Sequence, residues 1–265
     1  TVFNRTAVRH HRDRAATKLS SHDFLYMESA ERLADRLDDV TRSFPLALDL
    51  GCHGGELARA LGGRGGIETL IQSDLSPALA TMANRKGAPA LAGDEEALPF
   101  AKMSFDLVLS NLNLHWINDL PGMLIQVRQA LKPDGLFLAA ALGGDTLHEL
   151  RTSLFRAESE IEGGVSPRFS PLIDVRDLGN LLVRAGLALP VVDAETVTVS
   201  YGDPLKLLLD LRGMGETNAV IGRRKSFSRR CTLTRACQIY ESDYADESGR
   251  IPATFELITL TGWAP

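Results

Sequence analysis

The sequence predicts an α/β protein built on a seven-stranded, mostly parallel sheet whose last strand is antiparallel. Between residues 46 and 142, five short apolar runs alternate with helix-compatible segments. Such alternation is typical of βαβ units, in which helices cover both faces of a parallel sheet. After residue 142 the alternation stops. Two later segments rich in β-branched residues, 191–199 and 254–261, predict an antiparallel pair of strands at one sheet edge.

The first 44 residues predict a cap of N-terminal helices. Residues 4–18 and 22–40 have helical periodicity, and Pro45 ends this region. The first of these helices contains one acidic residue, Asp13, and many basic residues, which we interpret as a solvent-exposed face. The basic residues are Arg5, Arg9, Arg12, Arg14 and Lys18.

Residues 45–142 predict the core of the sheet. Short apolar runs bounded by glycine, proline or polar residues are typical of buried parallel strands. Ser76 and Pro77 predict a helix start, with serine as the N-cap and proline in the first turn. The strands are expected at 46–50, 67–71, near 90, 105–109 and 136–142, and the helices at 55–61, from 77 onward and at 119–131.

Residues 143–265 follow a different pattern. Glycine pairs and prolines surround one polar helix within 143–171, which favours a lid. Asp174 caps a further helix that ends at Gly186, and two or three more helices precede the final strand. No internal repeat or low-complexity linker divides the chain. We therefore predict one domain, 1–265, made of the cap (1–44), the core (45–142) and this lid-containing part (143–265).

The composition excludes several classes of protein. Hydrophobic residues make up 44% of the 265 residues and charged residues 24%, which excludes a disordered or collagen-like chain. No apolar run approaches the ~18 residues of a membrane span. The net charge of −5 is not typical of a nucleic-acid-binding protein. Three cysteines without a CxxC pair and six histidines without metal-binding spacing favour a reducing, cytoplasmic location and no metal site.

The functional residues are expected where the parallel strands end. Gly51 begins a glycine-rich turn after the first strand, and this turn matches neither a dinucleotide-binding motif nor a P-loop. Asp74 ends the second strand, where a carboxylate can accept both ribose hydroxyls. Asp94 and Glu95 follow the third strand, placed to meet the edge of the base. A ribose-binding acid without a pyrophosphate-binding glycine pattern indicates S-adenosylmethionine, with Asp49 beside its ammonium group.

These segments resemble the successive motifs of the class I S-adenosylmethionine-dependent methyltransferases, which have a Rossmann-like fold. The motif-bearing segments are 48–52, 74–77, 93–100, 104–108 and 131–135. A narrower resemblance covers nearly the whole chain, through residues 2–5, 115–121, 143–151, 214–218, 252–255 and 262–263. It is to the respiratory complex I assembly factor of methyltransferase fold and its bacterial relatives. The malonyl-carrier-protein methyltransferases are a more distant resemblance.

The resemblance implies a set of cofactor-binding residues. They are Asp49, Gly51, Cys52, His53, Gly55, Asp74, Leu75, Asp94, Glu95 and Asn111. The sequence departs from the family at one of them, since the usual turn reads Gly-x-Gly-x-Gly and His53 replaces the middle glycine. Its side chain either narrows the approach to the methionine part of the cofactor or points away. Cys52 is interpreted as a packed residue behind the turn rather than a nucleophile.

Three functions remain open at this stage. The first is a methyltransferase that acts on a protein or carrier-bound acceptor. The second is an arginine hydroxylase that assists complex I assembly, as reported for the mitochondrial family member. The third is an assembly chaperone that only binds the cofactor. His115, five residues after the fourth strand, is either the general base or a helix-start residue bonded to backbone.

Several further residues are candidates for contact with a substrate or partner. His148 and Glu149 in the lid face the substrate in one interpretation and are ordinary polar helix residues in the other. Residues 223–235 carry six positive charges and no acid, which is either a solvated face or a docking patch for an acidic partner. The expected partner is a protein such as a complex I subunit, not a nucleic acid, and peripheral membrane contact stays open.

Overall fold

One seven-stranded sheet runs through the computed structural model, which describes residues 1–265. The strands are β1 (Leu46–Leu50), β2 (Thr69–Asp74), β3 (Ala90–Ala92), β4 (Phe105–Asn111), β5 (Leu131–Leu142), β6 (Ala188–Tyr201) and β7 (Ile251–Trp263). Their order in the sheet is β3-β2-β1-β4-β5-β7-β6. Strands β1 to β5 pair in parallel, and β7 is antiparallel to both neighbours. The predicted seven-stranded, mostly parallel sheet is confirmed.

Nine α-helices surround the sheet. They are α1 (Arg5–Ala15), α2 (Phe24–Asp38), α3 (Glu56–Leu61), α4 (Pro77–Asn84), α5 (Leu120–Ala130), α6 (His148–Glu162), α7 (Val175–Ala185), α8 (Pro204–Met214) and α9 (Arg230–Tyr244). Ser76 caps α4 and Asp174 caps α7, each through a side-chain oxygen that accepts a backbone N–H. Both predicted helix starts are therefore confirmed. No helix combines the length and hydropathy that a bilayer crossing requires.

The two faces of the sheet carry separate hydrophobic cores. Leucines from α2, α3 and α6 join one core of 33 buried residues, which also takes in α9. Helices α5 and α7 cover the opposite face with a core of 22 buried residues. Side chains of successive residues in one strand point to opposite faces. In β4, accordingly, Leu107 belongs to the first core and Val108 to the second.

Some strand boundaries differ from the expected ones. Strand β2 runs to Asp74 instead of ending at residue 71, because Gln72, Ser73 and Asp74 pair with β3. Strands β6 and β7 extend beyond the β-branched segments because they pair with one another from Ala188 to Tyr201. Hydrogen bonds to a neighbouring strand keep the polar residues of these strands in the sheet. Apolar periodicity alone does not reveal such pairing.

Candidate functional site

The predicted cofactor residues meet at the carboxyl end of the parallel strands. The strand order reverses between β1 and β4, and ligands of open α/β sheets bind in the crevice at such a point. Gly51 has φ +75° and follows β1 directly. Asp74 ends β2, and one of its oxygens accepts the His53 backbone N–H at 3.1 Å. The first two strands therefore place their polar residues side by side, as the sequence predicts.

Asp49 is a buried carboxylate with no hydrogen-bond partner for either oxygen. Burial raises its pKa well above the ordinary value, and the charges of Glu56 and Asp74 raise it further. An uncompensated carboxylate of this kind is costly in a protein interior and is stabilised by a cation. The ammonium group of S-adenosylmethionine is such a cation. This donor set therefore fits the predicted cofactor.

Arg12 lies in this crevice, which corrects its interpretation as part of a solvent-exposed face. It is 2% exposed, and one guanidinium nitrogen is 3.4 Å from each carboxylate oxygen of Asp74 and 3.3 Å from Glu95. The other terminal nitrogen donates to the side chain of Asn113. Burial alone would lower the pKa of Arg12, but Asp74 and Glu95 outweigh burial and raise it. The guanidinium thus keeps its positive charge although it is buried.

Arg5 is the second arginine that the sequence placed wrongly in solvent. Its guanidinium bonds Glu95 and is 2.7 Å from Asp94. Both acids follow β3, where we expected them to meet an adenine base. The acids that were assigned to the cofactor therefore bind Arg5, and this contact holds the start of α1 over the crevice.

His53 points away from the crevice, one of its two expected orientations. Its imidazole stacks on Tyr26 with ring centroids 4.0 Å apart, and Nε2 lies 3.0 Å from the Asn111 carbonyl. Burial, together with the charge of Arg12, lowers the pKa of His53 to about 3. The backbone has φ +48°, a left-handed conformation that favours glycine. The structure thus keeps the family's turn geometry with a neutral ring packed behind it.

Other predicted cofactor residues have mainly structural contacts. Asn111 donates its side-chain amide to the Tyr26 carbonyl, and Gly55 starts α3 with φ +84°. Cys52 is buried, and burial raises the pKa of its thiol well above the ordinary value, which suits a packed residue. Leu75 is partly buried against the small cluster around Trp116.

A second cavity lies beside the crevice and has a volume of about 450 Å³. Hydrophobic residues make up 13 of its 22 lining residues, and the largest contributions come from α8, the segment 168–172 and the loop around residue 217. Its size and apolar lining are typical of small-molecule and side-chain binding pockets. The helix of the predicted lid, α6, supplies Leu150 and Leu154 to its wall. We call this cavity the chamber.

His115 lines the chamber and is held by a buried carboxylate. Its Nε2 is 3.1 Å from Glu216, which also accepts the Trp116 indole N–H at 3.1 Å. Because a carboxylate only accepts, Nε2 carries a proton, and in the neutral imidazole Nδ1 has the free lone pair. That Nδ1 is buried and has no partner. The contact is with a carboxylate, not with backbone, and it orients the ring as a general base requires.

Glu216 is the residue that connects the chamber with the crevice. It accepts the Tyr26 hydroxyl at 2.9 Å, and Tyr26 stacks on His53 at the end of β1. Burial would raise the pKa of Glu216, but His115 and Trp116 outweigh it and lower the value to about 2. Glu216 is therefore an anion at neutral pH. Glu216 lies within the motif 214–218, but the sequence alone predicted no role for it.

The two polar residues expected to face the substrate from the lid do not line the chamber. His148 is exposed and packs edge-on against Tyr244. Glu149 is buried and accepts the Thr254 hydroxyl, so it fastens α6 to β7. Neither residue lines the chamber, because α6 turns its apolar side toward it.

The basic stretch 223–235 lies next to the chamber. Arg168, which lines the chamber, donates to Ser228 at 2.8 Å. Arg224 and Arg235 form ion pairs with Glu162 and Glu160 of α6. The other basic residues of the stretch have no carboxylate partner; they are Arg223, Lys225, Arg229 and Arg230.

Comparison with known proteins agrees with this geometry. A methyltransferase domain family matches residues 48–139, which include β1, the crevice and β4. Among solved structures, phosphoethanolamine N-methyltransferase 2 of Haemonchus contortus in complex with S-adenosyl-L-methionine has the same fold. Its TM-score is 0.61 at 15% identity, and the match covers 97% of this chain and 60% of that one. This likeness shows the fold, and the molecule bound in that structure is the cofactor that the sequence predicts for this chain.

Two kinds of relative match the whole chain. Malonyl-[acyl-carrier protein] O-methyltransferase of Methylovorus sp. is 34% identical over 100% of this chain and 90% of its own length. Arginine-hydroxylase NDUFAF5, mitochondrial, of Danio rerio is 46% identical over 100% of this chain and 83% of its own length. With such identity along its full length, this chain belongs to the NDUFAF5 arginine-hydroxylase family, an enzyme family within the class I S-adenosylmethionine-dependent methyltransferases.

Proposed function

We propose that the protein methylates a nucleophilic side chain or carrier-bound group that enters the chamber, with His115 as general base. The observation that carries this proposal is the free Nδ1 of His115, buried in the chamber wall while Nε2 donates to Glu216. When bound, S-adenosylmethionine supplies an electrophilic methyl group. The protein's part is to hold the acceptor, exclude water and take the proton that the acceptor loses.

The positions of the polar residues in the crevice indicate which of them hold the cofactor. Asp74 accepts from the ribose, Asp49 compensates the ammonium group, and the turn at Gly51 gives the backbone close access. Glu95 is placed to meet the base. These assignments rest on the positions of buried carboxylates at the ends of β1 to β3 and on the family's motifs.

Asp74→Ala is expected to weaken S-adenosylhomocysteine binding by about 10- to 150-fold, because a charge-assisted pair of hydrogen bonds to the ribose is lost. Isothermal titration calorimetry measures the change. Asp134→Asn, which alters an exposed carboxylate outside the crevice, is the matched control. Equal affinity of the Asp74 variant and the unaltered protein would reject the ribose assignment.

A second candidate is hydroxylation of an arginine side chain. Its support is the name of the relatives with 42–46% identity. Glu216 also offers a carboxylate at the chamber wall that a guanidinium can bind. The acceptor in either reaction is proposed to be a protein, with a respiratory complex I subunit as the specific candidate. We propose a cytoplasmic location for this chain, although the NDUFAF5 relatives are named as mitochondrial.

One experiment separates these reactions. The protein is incubated in air with a reductant, because a hydroxylation needs dioxygen and two electrons. The mixture also contains S-adenosylmethionine with an isotopically labelled methyl group and peptides that tile the host's complex I subunits. Mass spectrometry then distinguishes a labelled methyl group from an added oxygen atom. Label on the peptide supports methyl transfer, whereas an unlabelled oxygen gain supports hydroxylation. If neither appears with any peptide while the cofactor binds, the chain acts as a cofactor-binding assembly protein.

Reversing the unpaired charges beside the chamber is expected to raise KM for a protein acceptor several-fold and to leave turnover of a short neutral acceptor unchanged. The triple variant Lys225→Glu, Arg229→Glu, Arg230→Glu removes attraction for an acidic partner surface without breaking an ion pair to α6. Steady-state kinetics at low and high salt measure the effect. Lys102→Glu is the control. An unchanged KM would show that residues 223–235 form only a solvated face.

A further inference from the structure

We propose that Arg12 is a latch on the cofactor site, and that its guanidinium and the cofactor's ribose are alternative partners of Asp74. This inference rests on the proposed cofactor assignment of Asp74. It goes further because it assigns α1 two positions, one with Arg12 in the crevice and one with the cofactor there.

The contacts of Asp74 support the exclusion. Each of its oxygens already accepts one backbone N–H, from His53 at 3.1 Å and from Ser76 at 2.8 Å. The Arg12 guanidinium faces both oxygens from the remaining side. A ribose diol would have to bind on that same side. The guanidinium contacts of 3.3–3.4 Å are long beside the ~2.8 Å of strong charge-assisted hydrogen bonds, so Arg12 can be replaced by a better-fitting donor.

Asn113 is the second part of the latch. Its side chain lies directly against Gly51, in the space that a Cβ atom at Gly51 would occupy. It also accepts from Arg12 and donates to Glu95 at 3.2 Å. Arg12 and Asn113 therefore fill the crevice together, and withdrawal of Arg12 releases Asn113 from the turn.

The charge balance explains why a latch is needed. Asp49, Glu56, Asp74 and Glu95 are all buried in or near the crevice, and Arg12 is the only arginine or lysine among the buried residues. Partly buried Arg5 and Lys86 pair with Glu95 and Glu56, which leaves Arg12 as the cation that faces Asp74. Without a cation these carboxylates would repel one another in a medium of low dielectric constant. Arg12 compensates them when it lies in the crevice, and the ammonium group that S-adenosylmethionine and S-adenosylhomocysteine share brings a positive charge when either binds.

The attachment of α1 allows this movement. The chain before α1 is fixed at several points: Asn4 donates its backbone N–H to Ala219 at 2.8 Å, and Phe3 packs edge-on against Trp116 at 5.5 Å. Within α1 itself only Val8, Arg12 and Ala15 are buried. Polar contacts also hold this part of the helix, since His11 and Arg14 bond Thr217 and Asp13 accepts the Ser76 hydroxyl. With few buried apolar contacts, α1 opens locally once these polar contacts break, while its anchored start stays in place.

Calorimetry with S-adenosylhomocysteine tests the latch through Arg12→Met, which keeps the apolar stem and removes the guanidinium. We expect binding about tenfold tighter than in the unaltered protein, because the competent state no longer has to displace Arg12. Arg9→Met on the exposed side of α1 is the matched control and should bind normally. General damage to the fold cannot tighten binding. Equal or weaker binding by Arg12→Met, including no binding at all, would overturn the latch.

Hydrogen exchange on the unaltered protein provides a measurement that does not depend on the variant folding. We expect the backbone amides of residues 8–15 to exchange faster when S-adenosylhomocysteine is bound. Slower or unchanged exchange would overturn the proposal. Neither experiment contains an acceptor, so both are independent of whether His115 takes a proton. A failed latch and a failed methyl transfer are therefore distinguishable.

Discussion

Replacing His115 by asparagine is expected to lower the rate of methyl transfer by about 10²- to 10⁴-fold, the usual contribution of a positioned general base. Asparagine fills part of the imidazole's space and can still donate to Glu216, but it has no lone pair that accepts a proton at neutral pH. The loss should appear in kcat, with the affinity for S-adenosylhomocysteine unchanged, because His115 lies in the chamber and not in the crevice.

Two further variants make this result specific. His148→Asn alters a histidine that does not line the chamber and should keep full activity. Glu216→Gln leaves His115 in place but removes the anion that fixes its Nε2 proton, so we expect an intermediate loss and an altered pH–rate profile. A His115→Asn enzyme with normal kcat would show that positioning alone accounts for the reaction.

The free energy of unfolding is expected to fall as the pH drops below about 6.5, by about 1.4 kcal/mol per pH unit for the contribution of His53 alone. Its pKa is lowered to about 3 in the folded protein, so the unfolded chain binds the proton first. Stability is therefore lost between the unfolded value near 6.5 and the folded value near 3. Urea denaturation at a series of pH values measures this slope.

His53→Asn isolates that contribution, because asparagine tolerates a positive φ and does not titrate in this range. The difference in pH dependence between the two proteins should reach about 2 kcal/mol at pH 5. His11 has a lowered pKa from burial and the charge of Arg14, and Glu216 titrates at still lower pH, but both are present in either protein. Parallel curves would mean that His53 is not held neutral by its surroundings.

The sequence was sufficient for the sheet and for the acids along its edge. The length and the flanking proline and glycine of an apolar run such as 46–50 favour a buried strand, and parallel strands bring their carboxyl ends to one edge. Asp74 and Asp49 were therefore placed correctly without knowledge of any contact. The direction of the His53 ring was not determined, since it depends on Tyr26, which is distant in the chain.

Arg12 and Glu216 were missed for different reasons. Basic residues on a helix are usually solvated, but Arg12 lies at helical spacing between Val8 and Ala15, the two apolar residues of α1 that face inward. That spacing was a usable signal. Glu216 is about a hundred positions from His115, and no local pattern reports a pairing over such a separation. Long-range contacts of this kind arise from tertiary packing.

The place of β7 in the sheet has a consequence for how the protein is made. β7 lies between β5 and β6 but is the last element of the chain, so residues 143–250 are synthesised after β5 while its edge has no partner. Strand β6 also has no partner until β7 is made. Unpaired strand edges promote association with other chains. A truncation that removes β7 would therefore yield a product with two open edges. Such a product is a target for chaperones and proteases, so β7 must be synthesised before the sheet is protected from aggregation.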